Sequence, residues 1–406
     1  MLVLLLMLTA ASLGCGVQGQ NVQEGNSASS TPTPHLYSVT LNGKYGFIDE
    51  SGHLKFTHPD DVYTIGPFSD GLSVVAKRVP NTYGRWGYVD LTGKLVIEAK
   101  FNVARNFSEG LAAVIVSERE ASGGKIGYID RTGRFVIQPQ FEQGGVVSDF
   151  AFSEGLAGVV SANGRWGYID KTGKFVIEPK FHSALPFSEG RALVGVAESS
   201  YSLQEKYGFI DKQGRWIVTP QYVLAGKFSE GLAPVLIGDK VGFIDLQGQI
   251  VIKPQFTLGG ACPDTGSLGA SVYSEGLAAV HVDDWKWGFI DRSGKWVIKP
   301  AYGCAHPFSE GLAVIGFRNK EGLWRYGYID KTGVTIIKPE FSYASSFVGK
   351  LARVGVGTSE DEALLKAMKD YEAGKPEAQI EKELESHKPK YGYIDRTGKF
   401  VWTPTN

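Results

Sequence analysis

One block recurs nine times along this chain: an apolar or aromatic residue, Gly, an aromatic residue, Ile or Val, and Asp, with a Gly three residues further on. The clearest copies are Trp86-Gly87-Tyr88-Val89-Asp90, Trp166-Gly167-Tyr168-Ile169-Asp170 and Trp287-Gly288-Phe289-Ile290-Asp291; the others centre on Gly46, Gly127, Gly208, Gly242, Gly327 and Gly392. Successive glycines lie 41, 40, 40, 41, 34, 46, 39 and 65 residues apart, so one period accounts for nearly all of the chain after its first 35 residues. A fixed period of this length means one supersecondary unit repeated, with stability set by contacts between neighbouring units.

Two further blocks travel with the first. A strand-like segment follows it, as in Lys174-Phe175-Val176-Ile177-Glu178-Pro179-Lys180-Phe181, and about ten residues later comes Phe-Ser-Glu-Gly-Leu-Ala, as at Phe107 to Ala112 and Phe308 to Ala313. In this order and spacing the three blocks resemble the WG-repeat (KWG-repeat) proteins of bacteria, over about residues 36 to 406. Trp stands before the Gly in three copies only; Tyr, Ile or Val takes its place elsewhere. The resemblance implies an architecture and transfers no activity.

The residues explain the unit locally. Trp166 and Tyr168 fall on one face of a strand, and Gly167 between them leaves room for a neighbouring backbone. Asp170-Lys171-Thr172-Gly173 reads as a turn, with Asp capping amides and Gly accepting positive φ. Phe175, Ile177 and Phe181 share one face of the returning strand, and Pro179, which has no N–H, closes that strand or lies on an edge. Leu156, Ala157, Val159 and Val160 begin the strand that leads into the next block. Each unit therefore offers three or four short strands, and the 52 Gly with abundant aromatics suit an all-β chain. Nine units exceed the usual four to eight blades of a ring. The expected fold is an all-β tandem array of nine units as an open or spiral β-solenoid, with a propeller-like ring as the alternative.

The N-terminus speaks to compartment. Leu2 to Leu8 is an almost unbroken apolar run, followed by small residues up to Cys15. This is a signal-peptide outline, too short to span a bilayer as a mature helix. Ser12-Leu13-Gly14-Cys15 resembles the lipobox of bacterial lipoproteins, which implies cleavage before Cys15 and lipidation of its thiol. Ordinary signal-peptidase cleavage is the alternative. Residues 15–35 are polar and Gly- and Pro-containing, and read as a tether. With 42 basic against 43 acidic side chains, no global field draws the chain to nucleic acid.

Where a repeat departs from its siblings, packing no longer dictates the residue. The largest departure is residues 358–390. Ser359 and Glu362 form a capping box, and Leu364, Leu365, Met368 and Tyr371 make an apolar stripe at helical spacing. Pro376 opens a second helix with Ile380 and Leu384 one turn apart. The expectation is a helical hairpin inserted in the last repeat, either packing back on the array or binding a partner. Trp285 and Trp324, outside the strand core, are the aromatic residues to consider for a glycan; the alternative is partial burial at a hairpin. The insertion 259–271 carries Cys262, which with Cys304 in the next repeat makes a possible disulfide in an exported protein, or two free thiols.

Catalytic chemistry finds little support. Asp264-Thr265-Gly266-Ser267 matches the short aspartic-protease signature, which needs a second carboxylate copy that the chain lacks. The seven His residues form no HExxH pair, and there is no G-x-S-x-G elbow, Walker loop or dinucleotide fingerprint. The Glu of each Ser-Glu-Gly block and the Asp of each turn recur once per unit, whereas a catalytic pair needs unlike environments; their expected roles are turns and bonds to the neighbouring unit. The sequence thus points to an exported, lipid-anchored binding or scaffold module for a protein or glycan partner. It implies no catalysis, no metal and no cofactor. The alternative is a cell-envelope hydrolase with its site near the Cys262 insertion.

Overall fold

The computed structural model describes residues 35–405 apart from 81, 118–122, 145–149, 198–204, 260–269, 283–285, 321, 359 and 387–389. The polypeptide forms nine small antiparallel sheets, one per repeat. Blade 5 shows the pattern: Ser183–Ala184, Ala192–Ala197, Glu205–Ile210 and Trp216–Tyr222 pair in that order. We call these positions the first to fourth strands. In blades 4, 6 and 7 the first strand is reduced to a single bridge, such as Ala225 with Val235. Blade 1 consists of Tyr37–Leu41, Lys44–Ile48 and Leu54–Thr57, the second to fourth positions.

The repeated Gly is required by a bulge. In blade 4, Trp166 pairs with Phe181 and Tyr168 with Ile177, so three residues of the fourth strand oppose one of the third. The bulged backbone turns onto Gly167, where a Cβ would lie 2.6 Å from the Ile177 carbonyl oxygen and 2.9 Å from the Pro179 nitrogen. Pro179 sits inside this fourth strand rather than closing it. That strand is the rim of the blade, with Val176 exposed and Ile177 buried, and a proline there blunts an edge that would otherwise invite pairing.

The blades close into a ring, which corrects the expectation of an open or spiral solenoid. At each junction the turn Gly of one blade rests on an apolar side chain of the blade before it: Gly133 on Ile97, Gly173 on Ile137, Gly214 on Ile177, Gly294 on Ile252. A turn Gly also meets the blade before it where the two ends join: Gly52 of blade 1 lies against the backbone and side chain of Val401 of blade 9. A shared cluster of Tyr37, Val39, Ile48, Leu351 and Tyr393 buries that junction. The Tyr37 hydroxyl donates to the Val348 carbonyl at 2.8 Å, and Tyr393 donates to the Ser38 carbonyl at 2.8 Å. Copy number above eight argued for an open array; a complete seam between first and last units outweighs it, because every unit then buries both faces.

Candidate functional site

Antiparallel order places two kinds of hairpin turn, first-to-second and third-to-fourth, at one end of each blade; the second-to-third turns lie at the other. The first end is welded by the recurring polar residues. Ser153 donates to the Phe187 carbonyl of the next blade at 2.7 Å, and six other seams repeat this bond, as Ser108 does to Phe152 at 2.7 Å. Glu154 accepts from Gly190 N–H of the next blade at 3.0 Å and pairs with Lys212 at 3.1 Å. Glu109 with Lys171, Glu275 with Lys331 and Glu310 with Arg396 repeat the ion pair. The closing seam reverses it: blade 9 presents Lys350 and blade 1 presents Glu50, 2.6 Å apart.

Each turn Asp is likewise consumed locally. Asp170 Oδ1 accepts from Thr172 Oγ1 at 2.6 Å and from the amides of Thr172 and Lys174. These bonds, the Thr172 hydroxyl first, hold its carboxyl below the usual range. Asp49 is drawn down to about 2, led by Ser51. The recurring carboxylates are therefore turn and seam elements, as their repetition implied.

The other end of the ring carries the departures. In blade 9 the second-to-third connection holds α1 (Glu360–Glu372) and α2 (Glu377–Ser386), the helical hairpin that the spacing implied. Ala363, Ala367 and Ile380 are buried between the helices, lining a cavity of 240 Å³ with Lys366, Asp370 and Leu384. Of the expected stripe, Leu364 is half-buried while Met368 and Tyr371 are exposed, at 45% and 38%. Ala363 and Ala367 face that cavity together with Ile380 and Leu384 of the second helix. Lys375 bonds Asp370 and Glu383 across the hairpin, and Glu362 accepts from Arg325 Nη1 of blade 8 at 2.9 Å, fixing the base of the hairpin to the ring.

Trp324, beside that anchor, stacks on Tyr326 at 6.1 Å with the Arg318 guanidinium 4.8 Å from its centroid. Its ring fills space above Gly303. Cys304 is disulfide-bonded. Cys15, Cys262, Asp264, Trp285 and Ser359 lie outside the described residues, as does the side chain of Leu365. Reasoning from sequence missed one cluster in blade 5, where His182 Nδ1 and Ser183 Oγ both meet the Glu205 carboxylate, Ser183 at 2.5 Å. Gly195 clears the space for it. Ser183 donates to the carboxylate and not to His182, so the cluster holds no nucleophile–base pair of the kind acyl transfer requires. Among the described residues no group of three or more His, Cys, Asp and Glu is placed to hold a metal ion, and no helix is long and apolar enough to cross a membrane.

Nine blades of four-strand pattern closed by equivalent seams define a β-propeller. The chain belongs to the WG-containing repeat family, whose model matches residues 86–117, 126–164, 166–196, 207–240, 242–259, 287–320 and 326–357. Among solved structures it is similar to one described as a eukaryotic initiation factor, with a TM-score of 0.62 and 11% identity, covering 92% of this chain and 97% of that one. BamB from Moraxella catarrhalis aligns with a TM-score of 0.44 and 11% identity over 79% of this chain and 96% of its own. The first likeness is one of fold; the second is too slight to bear on either fold or function. A search of curated proteins found no match.

Proposed function

We propose that this propeller is an exported scaffold, anchored through a lipid on Cys15, that binds a protein partner without catalysis. The helical hairpin carries the reading: it departs from the repeat, is fixed to the ring by Arg325 and Glu362, and turns Met368 and Tyr371 to solvent. Exposed Met and Tyr on a small rigid element are the residue types that interfaces favour. The bonded state of Cys304 suits an oxidising compartment. A glycan is the second candidate partner, and the stacked, half-buried setting of Trp324 weakens that option relative to a protein.

The test compares capture from the native cell envelope by the whole protein, by a variant with residues 357–389 replaced by the two-residue turn of blade 6, and by M368S/Y371S. Loss of one partner from both variants supports the proposal; identical partners from all three sink it. Cys15→Ser addresses the anchor separately, and continued membrane association of that variant would contradict lipidation.

A further inference from the structure

Arg191 is the clearest single-residue departure in the welded end of the ring. The residue after the first hairpin turn is Leu72, Leu111, Leu156, Leu232, Leu277, Leu312 and Leu351 in its siblings, and all seven are buried. Blade 5 has Arg191 there, only partly buried. Its register follows from Ala192 pairing with Ile210, which places Arg191 opposite Asp211. Beside it lies an open cavity of 450 Å³, lined by Gly190, Arg191, Asp211, Lys212, Gln213, Arg215 and Ile217.

The guanidinium is held from behind. Nε donates to the Leu246 carbonyl of blade 6 at 3.1 Å, and Nη1 to its neighbour's carbonyl, Gly190 O, at 3.1 Å. Other seams use a base on the later blade, such as Lys212, to reach back to the earlier one; blade 6 has Leu246 at that place, so Arg191 supplies the link from the opposite side. A link to a carbonyl leaves the charge unmatched. No carboxylate pairs with Arg191 among the described residues, whereas Lys212 is matched by Glu154 at 3.1 Å and Arg215 by Asp211 at 2.7 Å. Glu189 accepts instead from Gly231 N–H at 2.8 Å.

We infer that this cavity binds an oxyanion, a phosphate or a carboxylate, with Arg191 as the charged contact and Lys212, Gln213 and Arg215 as further donors on its wall. A guanidinium oriented by two carbonyls keeps its remaining N–H groups for the forked recognition of such groups. This inference is independent of the hairpin reading, since it concerns the opposite end of the ring.

The probes are sodium phosphate and sodium acetate against sodium chloride at matched ionic strength, read by thermal unfolding and calorimetric titration of the full chain. Because phosphate stabilises folded chains generally, the wild type is read against Arg191→Leu: it gains more stability than the variant in at least one of the first two salts, phosphate alone identifying a phosphate site and acetate alone a carboxylate site. Arg191→Leu restores the residue of the other repeats, keeps the fold, and binds at least tenfold more weakly. Arg215→Gln leaves the Leu246 link untouched and weakens binding severalfold. The inference is overturned if the wild type responds to all three salts alike, or if Arg191→Leu and Arg215→Gln retain wild-type affinity.

Discussion

Glu154→Gly sets two effects in the blade 4 turn against each other. Glu154 holds a φ of 54°, the left-handed region, which costs a residue with a side chain about 1–2 kcal/mol. Glycine removes that strain but regains unfolded-chain entropy, a loss of about 0.4–1 kcal/mol. The carboxylate it deletes accepts from Gly190 N–H at 3.0 Å and pairs with Lys212 at 3.1 Å. A hydrogen bond to a charged group contributes about 1.5–3 kcal/mol, and an exposed pair about 0.2–1. With the Glu154 side chain 29% exposed, the lower half of the first range applies. The losses exceed the relief, leaving Glu154→Gly about 1.5–2 kcal/mol less stable than wild type. Glu154→Gln keeps both the strain and an acceptor oxygen, so it falls between them. Urea unfolding followed by tryptophan fluorescence reads the loss, with Trp166 and Trp216 of blades 4 and 5 among the eight tryptophans that report. A glycine variant as stable as wild type, or more so, would refute the claim that the carboxylate and not the turn conformation dominates this position.

Gly167→Ala brings a Cβ within 2.6 Å of a backbone oxygen that the bulge holds in place, and an overpacking cost of about 1–3 kcal/mol follows, visible as a lowered Tm; an unchanged Tm means the bulge is soft. Tyr37→Phe removes the bond to Val348 O and the acceptor for Lys350 N–H, at 2.8 and 3.2 Å. It lowers the urea midpoint by an amount equivalent to about 1–2 kcal/mol without changing blade 4 or 5 fluorescence first, and loss of all blades together would show the seam is not local. Burial pushes the Tyr37 hydroxyl up to about 12, so the wild-type bond persists to high pH. His58 is buried between Phe47 and Phe56 with Nε2 lacking a partner among the described residues, and burial depresses its pKa below the ordinary 6.5. A depressed pKa means the unfolded chain takes the proton first, so this stability is full above pH 6.5 and falls as pH drops below it; His58→Phe should flatten that part of the stability profile, and an unchanged slope would assign it elsewhere.

What the sequence disclosed follows from what recurrence reports. A residue copied once per unit is visible in alignment together with its neighbours, so the Asp170 turn, the backbone approach over Gly167 and the outward bond of Glu154 were all legible. Ring closure was not, because it depends on rotation between blades summed over nine seams, and no single unit encodes the sum. Its traces are substitutions at the ends: Lys350 replaces the turn glycine, Glu50 replaces the turn base, and Tyr37 supplies the hydroxyl bond that Ser makes in seven other seams. The helices were legible from spacing, but the burial of Ala363 and Ala367 was not, since they carry too little hydrophobicity to stand out beside Leu364 and Met368. Arg191 was readable in principle from the leucine column, and it drew no notice because it lengthens nothing.

The two ends of the ring divide the labour that the sequence shows as one repeat. At the welded end, turns of adjacent blades exchange hydrogen bonds at fixed reach, such as Ser153 to Phe187 and Gly190 to Glu154. Any inserted residue there would break a seam on each side, so change is confined to substitution, and Arg191 is of that kind. At the other end, the second-to-third turns take no part in that exchange, so their length is free. The helices of the 65-residue interval fall there, between the second and third strands of blade 9. A ring built this way can acquire a projecting element like α1 and α2 without loss of closure. The hairpin and the Arg191 cavity then differ in how they arose: one adds chain where the fold leaves length free, and the other changes one side chain where length is fixed.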